Sequence, residues 1–162
     1  MEYDYERSQF VQAFGQSFYM AGHKALGGQI LALLLLHDDG VITLDEITER
    51  LHVSKGPVSQ VVRELCDQGL LQKTWNKGSR RLYFRLTPNA WSQSIRLLLQ
   101  PLQNRLNSIQ NLTQKLPLDK FAKHPKTQLA RMLDVYQTFA DQAERLLRQT
   151  EQVEQRHIQD GG

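Results

Sequence analysis

Residues 43–69, TLDEITERLHVSKGPVSQVVRELCDQG, constrain this chain more than any other stretch, because they hold two helix starts back to back. Thr43 and Glu46 have capping-box spacing, with each side chain placed to satisfy a free amide of the first turn. Ile42 and Ile47 flank that start as a hydrophobic staple. The pattern predicts a helix through Leu51, a short turn at His52-Val53, and a second start at Ser54, a good N-cap. Val58, Val61, Val62 and Leu65 fall at i, i+3, i+4, i+7 and so share one face. Gly69 supplies a left-handed stop. Gly56 and Pro57 stand in the first turn of this second helix, although they are the two worst helix formers. At that place the missing proline amide would be unpaired anyway. Glycine also relieves the clash that proline imposes on the residue before it. Since Pro57 offers no amide, Ser54 is expected to cap Gly56.

After Gly69 the hydrophobic period drops from 3.6 to 2. Leu71–Trp75 reads as a short strand, and 76–79 (NKGS) has turn chemistry. Residues 81–86 alternate strictly, with Leu82, Phe84 and Leu86 on one face and Arg81, Tyr83 and Arg85 on the other. This is a β-hairpin with one wet, basic face. Two helices of about ten and fifteen residues joined by a tight turn and followed by such a hairpin form a winged helix-turn-helix pattern. The fold class expected is mainly α, formally α+β, with long helices at both ends.

Charge points the same way. Residues 50–85 hold eight Lys and Arg against Glu64 and Asp67, a net of +6 in a chain whose total is +3. A basic block inside a chain whose remainder is slightly acidic suggests a polyanion-binding face. With the valine face inward, Gly56, Gln60, Arg63 and Asp67 point outward, and Ser59 and Glu64 lie on the flanks. Glutamine reads adenine in the major groove, and arginine reads guanine or binds phosphate. Ser54, Lys55 and Ser59 sit at the helix start, where free amides and the helix dipole favour phosphate. Lys77, Arg80 and Arg81 at the hairpin tip reach an adjacent groove or backbone. The expected DNA-contacting set is therefore Ser54, Lys55, Gly56, Ser59, Gln60, Arg63, Lys77, Arg80 and Arg81, on helix 54–69 and wing 76–81.

The flanks are helical. Phe10, Phe14, Phe18 and Ala21 recur at steps of three and four. Gly27-Gly28 is read as a loosening of the chain, or as a site of close helix packing, before an apolar helix over 29–36. Ile95, Leu99, Leu102, Leu106, Ile109 and Leu116 mark a further helix, in which Pro101 is a potential kink. Leu116-Pro117 breaks it, and His124-Pro125 is read as a second interruption. A final helix carries Leu129, Met132, Tyr136, Phe139, Ala143, Leu146, Thr150 and Val153 as a heptad-like seam. These flanking helices hold more apolar surface than a small core covers, and they are expected to dimerise. The domains expected are an N-terminal dimerisation helix (1–24), the winged helix-turn-helix (25–89) and a C-terminal helical dimerisation region (90–162).

The stretch from Gly27 to Leu86 resembles the winged-helix core of the MarR superfamily, and within it the GbsR-like branch. The matching text is GGQILALLLL, then TLDEITERLHVSKGPVSQVVRELCDQGLL, then KGSRRLYFRL. The resemblance implies a homodimeric transcriptional regulator, a repressor, whose terminal helices form the dimer interface. It also implies a second helix in the major groove and a wing on the flank of a pseudo-palindromic site. Some GbsR-like relatives sense choline-type cations, which suit aromatic cages. Tyr3, Tyr5, Phe10, Phe14, Phe18, Tyr19 and Trp91 are candidates for such a pocket, although a dimer core is the preferred reading of them. Pro57 departs from the family pattern, which more often has a small polar residue there.

Other classes find little support. One cysteine, Cys66, excludes an internal disulfide and a Cys-rich metal site, and fits a reducing cytoplasm. Cys66 reads as a small core residue, with a redox switch as the alternative. The five histidines do not fall at metal-ligand spacing. No cofactor is expected, and no nucleophile triad, phosphate loop or paired carboxylates suggest an enzyme. The start, MEYDYERSQF, does not read as a signal peptide, and the longest apolar run, ILALLLL, is too short to span a bilayer. The partners expected are double-stranded DNA, a second copy of the chain and an unidentified small-molecule effector. The alternative is a winged-helix protein-interaction module that uses the heptad helix and does not bind DNA.

Overall fold

The computed structural model describes residues 2–75 and 80–160. In chain order they form α1 (Glu2–Met20), α2 (Ala25–Leu35), α3 (Leu44–Leu51), α4 (Lys55–Asp67), β1 (Leu71–Trp75), β2 (Leu82–Leu86), α5 (Ala90–Gln114) and α6 (Lys123–Asp160), with a 3-10 turn at Leu118–Lys120. They fall into two compact units, residues 1–93 and 94–162. Among the described residues no helix is long and apolar enough to cross a membrane.

The centre of the first unit is α2, whose Ile30, Leu31, Ala32, Leu33 and Leu34 are buried. This helix begins at Ala25, four residues before the expected start, and Gly27-Gly28 lies inside it rather than loosening the chain. The reason is packing. A Cβ on Gly28 would stand 2.8 Å from Phe18 Cβ and 2.9 Å from Gly15 Cα. One on Gly15 would stand 2.6 Å from Gln29 Cγ and 2.9 Å from the Ala25 carbonyl oxygen. The α1–α2 crossing is thus glycine on glycine, and the close approach repays their low helix propensity.

That crossing also turns α1 away from the expected phenylalanine face. Val11 and Gly15 are buried, Phe14 and Phe18 are half-buried, and Phe10 is exposed. Ala21 lies beyond the end of the helix. Phe10, Phe14 and Phe18 form a ladder with ring centroids 5.7 and 5.4 Å apart, and Trp91 meets Phe14 edge-on at 6.4 Å. These rings contact one another as a packed cluster.

Both elements of the capping box are made. The Glu46 amide donates to Thr43 Oγ1 at 3.2 Å, and the Thr43 amide and hydroxyl donate to Glu46 Oε2 at 2.8 and 2.9 Å. Ile42 and Ile47 are fully buried beside it. Burial pushes the Glu46 carboxyl up, but the two Thr43 bonds outweigh this and hold it below its ordinary 4.5. Helix α3 closes on His52, which takes the left-handed conformation at φ 52°. This puts the turn residue into a region that histidine tolerates better than most side chains.

Helix α4 buries Val58, Val61, Val62 and Leu65, the predicted face. Each such side chain stabilises the fold by about 2 kcal/mol relative to exposure. Gly27 of α2 faces Val61 and Leu65, so α4 lies across α2 at that point. Gly69, at φ 75°, ends the helix with a Schellman pair: its amide donates to the Cys66 carbonyl, and the Leu70 amide to that of Leu65. Strands β1 and β2 pair antiparallel from Leu71↔Leu86 to Trp75↔Leu82, and Ile42 exchanges both backbone bonds with Phe84. The wing is thereby bonded to the residue just before α3.

In the second unit α5 and α6 run antiparallel. Arg96 pairs with Glu151, Gln110 Nε2 donates to Gln137 Oε1 at 2.8 Å, and the Arg105 guanidinium lies 6.0 Å from the Tyr136 ring centre. Pro101 lies within α5. Pro125, expected to interrupt the chain, instead sits in the first turn of α6, where its missing amide costs nothing. The expected heptad seam of α6 splits in two. Of its members Ala143 is buried, beside Ala140 and Leu147 from outside it, and Leu129, Met132, Tyr136 and Thr150 are half-buried, whereas Phe139, Leu146 and Val153 are 43–61% exposed.

Candidate nucleic-acid interface

The outer surface of α4 is polar and open. Lys55, Gly56, Gln60 and Arg63 are exposed, as are Arg80 and Arg81 beside the wing. Lys77 and the rest of the wing turn, 76–79, lie outside the described residues. No atom of another element lies within 4 Å of where a Gly56 Cβ would stand. The fold therefore does not require glycine there for packing, which leaves the proline that follows and whatever approaches from outside.

One expectation fails at the helix start. Ser54 has extended N-cap geometry but makes no side-chain capping bond. The third helical residue, the usual partner of a serine cap, is Pro57, which has no amide. Without that bond the first-turn amides keep their capacity for an anion.

Five of the expected contact residues separate into three groups. Lys55 Nζ is 2.9 Å from Asp45 Oδ1 of α3, and Arg81 lines the same shallow hollow with Leu44 and Leu82. The Lys55 hydrogen bond, with Arg81 adding a smaller attraction, holds the exposed Asp45 carboxyl below its ordinary value. Ser59 and Arg63 line a groove of about 190 Å³ between α4 and the wing, together with Cys66, Lys73, Leu82 and Phe84. Gln60 stands apart from both, and its Nε2 donates to Glu64 Oε1 at 3.1 Å. Glu64 in turn accepts from Lys24 Nζ through both oxygens, at 2.6 and 2.9 Å. The Lys24 bond is the main reason its carboxyl is held low. Ion pairs this exposed contribute little stability, so their effect is to orient side chains.

Lys24, Asp45 and Lys73 were not among the expected site residues. The i, i+4 spacing of Gln60 and Glu64 was a visible signal for their contact. Lys24 and Asp45 reach α4 from other helices, and no local pattern announces them. Burial pushes the Cys66 thiol up, which disfavours the thiolate at neutral pH. A second concavity, of about 460 Å³, lies among α1, α2 and α3, with Arg7, Arg50 and Asp4 at its polar rim and Val11, Leu33 and Leu51 beneath. Among the described residues no cluster of three or more histidine, cysteine, aspartate or glutamate side chains is placed to hold a metal.

Comparisons with known proteins agree with this geometry. Residues 28–83 match the model of the MarR family. The chain is 33% identical over 84 residues to the HTH-type transcriptional regulator MmpR5 of Mycobacterium tuberculosis, a match covering 52% of this chain and 51% of that one. The chain thus spans about half the length of that relative. It is 22% identical over 151 residues to the HTH-type transcriptional repressor GbsR of Bacillus subtilis, covering 86% of this chain and 83% of that one. A crystal structure of a transcriptional regulator matches in fold with a TM-score of 0.67 at 24% identity, over 91% of this chain and 99% of that one. These relatives are regulators rather than enzymes. Over the winged helix of residues 28–83, the chain is thus similar to the MarR family.

Proposed function

We propose that the protein is a homodimeric, DNA-binding transcriptional regulator, acting as a repressor on a pseudo-palindromic site. The observation that carries this reading is α4 itself. Its apolar face is spent inside the chain, while Lys55, Gly56, Gln60 and Arg63 project outward beside Arg80 and Arg81 of the wing. A helix of this kind fits the major groove, which is wide enough for one helix. In this reading Gln60 and Arg63 meet base edges, Ser54, Lys55 and Ser59 meet phosphates at the helix start, and Lys77, Arg80 and Arg81 grip the flank.

Dimerisation is supported by the exposed part of the α6 seam, where Phe139, Leu146 and Val153 recur every seven residues. Two α4 helices spaced about one DNA turn apart, roughly 34 Å, would read an inverted repeat. An effector that changes this spacing would control binding, and the concavity among α1, α2 and α3 has room for a small molecule. The relatives named as a regulator and as a repressor favour the same output.

Genome-wide footprinting of the protein tests the reading. Discrete protected sites with two-fold symmetry are expected. Arg63→Ala should relax or abolish selection among those sites while leaving the fold intact by circular dichroism. Unchanged site selection in that variant removes Arg63 from the interface. Binding to partner proteins with no protected DNA would favour a protein-interaction module built on α6.

A further inference from the structure

The chain Lys24–Glu64–Gln60 has a consequence for base choice, and it rests on the proposal above that α4 enters the major groove. Lys24 stands at the N-cap of α2, fixed by the packing of that helix in the core. Its ammonium holds both oxygens of Glu64, at 2.6 and 2.9 Å. Glu64 Oε1 also accepts from Gln60 Nε2 at 3.1 Å. The Gln60 amide is therefore not free to turn over, because its oxygen would then face the carboxylate. One N–H of its amide is committed to Glu64, and its other N–H and its oxygen remain for the DNA.

We infer that Glu64, clamped by Lys24, orients Gln60 so that it reads adenine in preference to guanine. Adenine presents N7, an acceptor, and the N6 amino group, a donor, in the major groove. One N–H and one C=O from Gln60 match that pair. Guanine presents two acceptors, N7 and O6, and asks for two donors. With one amide hydrogen held by Glu64, Gln60 has a single donor left, and its oxygen opposes a guanine acceptor. Glu64 is thus a positioning residue: its carboxylate is already occupied by Lys24 and Gln60.

The test is selection from a library of random duplexes, followed by competition between duplexes that differ at one position. Full-length protein is used, with Gln60→Ala, Glu64→Ala and Glu64→Gln variants. The wild type should favour adenine over guanine at one position per half-site by roughly 5- to 150-fold, the discrimination of one bidentate pair. Gln60→Ala should lose the preference at that position. Glu64→Ala should weaken it several-fold without abolishing it, since a free glutamine still matches adenine but no longer has its orientation fixed. Glu64→Gln should keep the preference, because the new amide oxygen still accepts from Gln60. Both Glu64 variants remove the same negative charge, so a change shared by both reports electrostatics and overturns the orienting role. Retention of the wild-type preference in Glu64→Ala overturns it as well, as does an effect at a position that Gln60→Ala leaves unaltered. A wild-type protein that enriches no sequence overturns the DNA reading itself, and this inference with it.

Discussion

Helices α4 and α6 are both amphipathic, yet they use their apolar faces differently. In α4 the four apolar side chains Val58, Val61, Val62 and Leu65 are each at most 5% exposed. In α6 the seam is only partly covered by its own chain: Ala143 is buried, while Phe139 and Leu146 remain 54% and 61% exposed. Amphipathicity alone therefore does not tell what a face is for. A face fully covered within the chain leaves the opposite, polar face as the functional surface. A face left partly open is a candidate contact surface, and the proposed dimer would cover it with a second helix.

Substitutions at the two faces should break different properties. The largest effect is expected at Leu65→Ala. It should lower stability by about 3 kcal/mol in chemical denaturation, through lost burial and the cavity left behind. Paired Phe139→Lys and Leu146→Lys should instead leave the winged helix folded and weaken self-association about a hundredfold, about 2.7 kcal/mol, by sedimentation velocity. Loss of folding in the second case, or of dimers alone in the first, would erase the contrast between the helices.

A smaller effect sharpens the account of how α3 positions α4. Thr43→Ala removes the N-cap and should cost about 1 kcal/mol at neutral pH. The pH dependence carries a sign. Glu46 titrates below its ordinary 4.5 in the folded protein, so it contributes stability above that value, lost as pH falls through the folded one. Losing the Thr43 hydroxyl bond raises the folded value toward the ordinary one. The acid limb of stability should therefore shrink in the variant, as followed by denaturation between pH 3 and 6.

The winged helix was legible because its signals are local. The capping box, the staple, the valine face and Gly69 each lie within a few residues, and each appears where expected. Misreadings arose where the partner is distant. Gly27-Gly28 resembles a break until Gly15 is brought against it, and Pro125 resembles one until the helix is seen to start just before it. Ser54 looked like a cap for Gly56, but it makes no side-chain capping bond, and the next residue that could serve, Pro57, has no amide. At the candidate interface, outward-facing positions followed from helical period alone. The groups that hold them, Lys24 on Glu64 and Asp45 on Lys55, come from other helices, and spacing in the sequence carries no trace of that.

In the proposed function α4 and the wing of two copies meet phosphates in duplicate. The most direct test is the salt dependence of duplex binding by the wild-type protein. Two copies each presenting Lys55, Arg63, Arg80, Arg81 and their neighbours should displace about six to nine counterions. That corresponds to a slope of log K against log salt of roughly −5 to −8. A slope between zero and about −1 would contradict it, because no basic interface of this extent binds DNA without releasing ions.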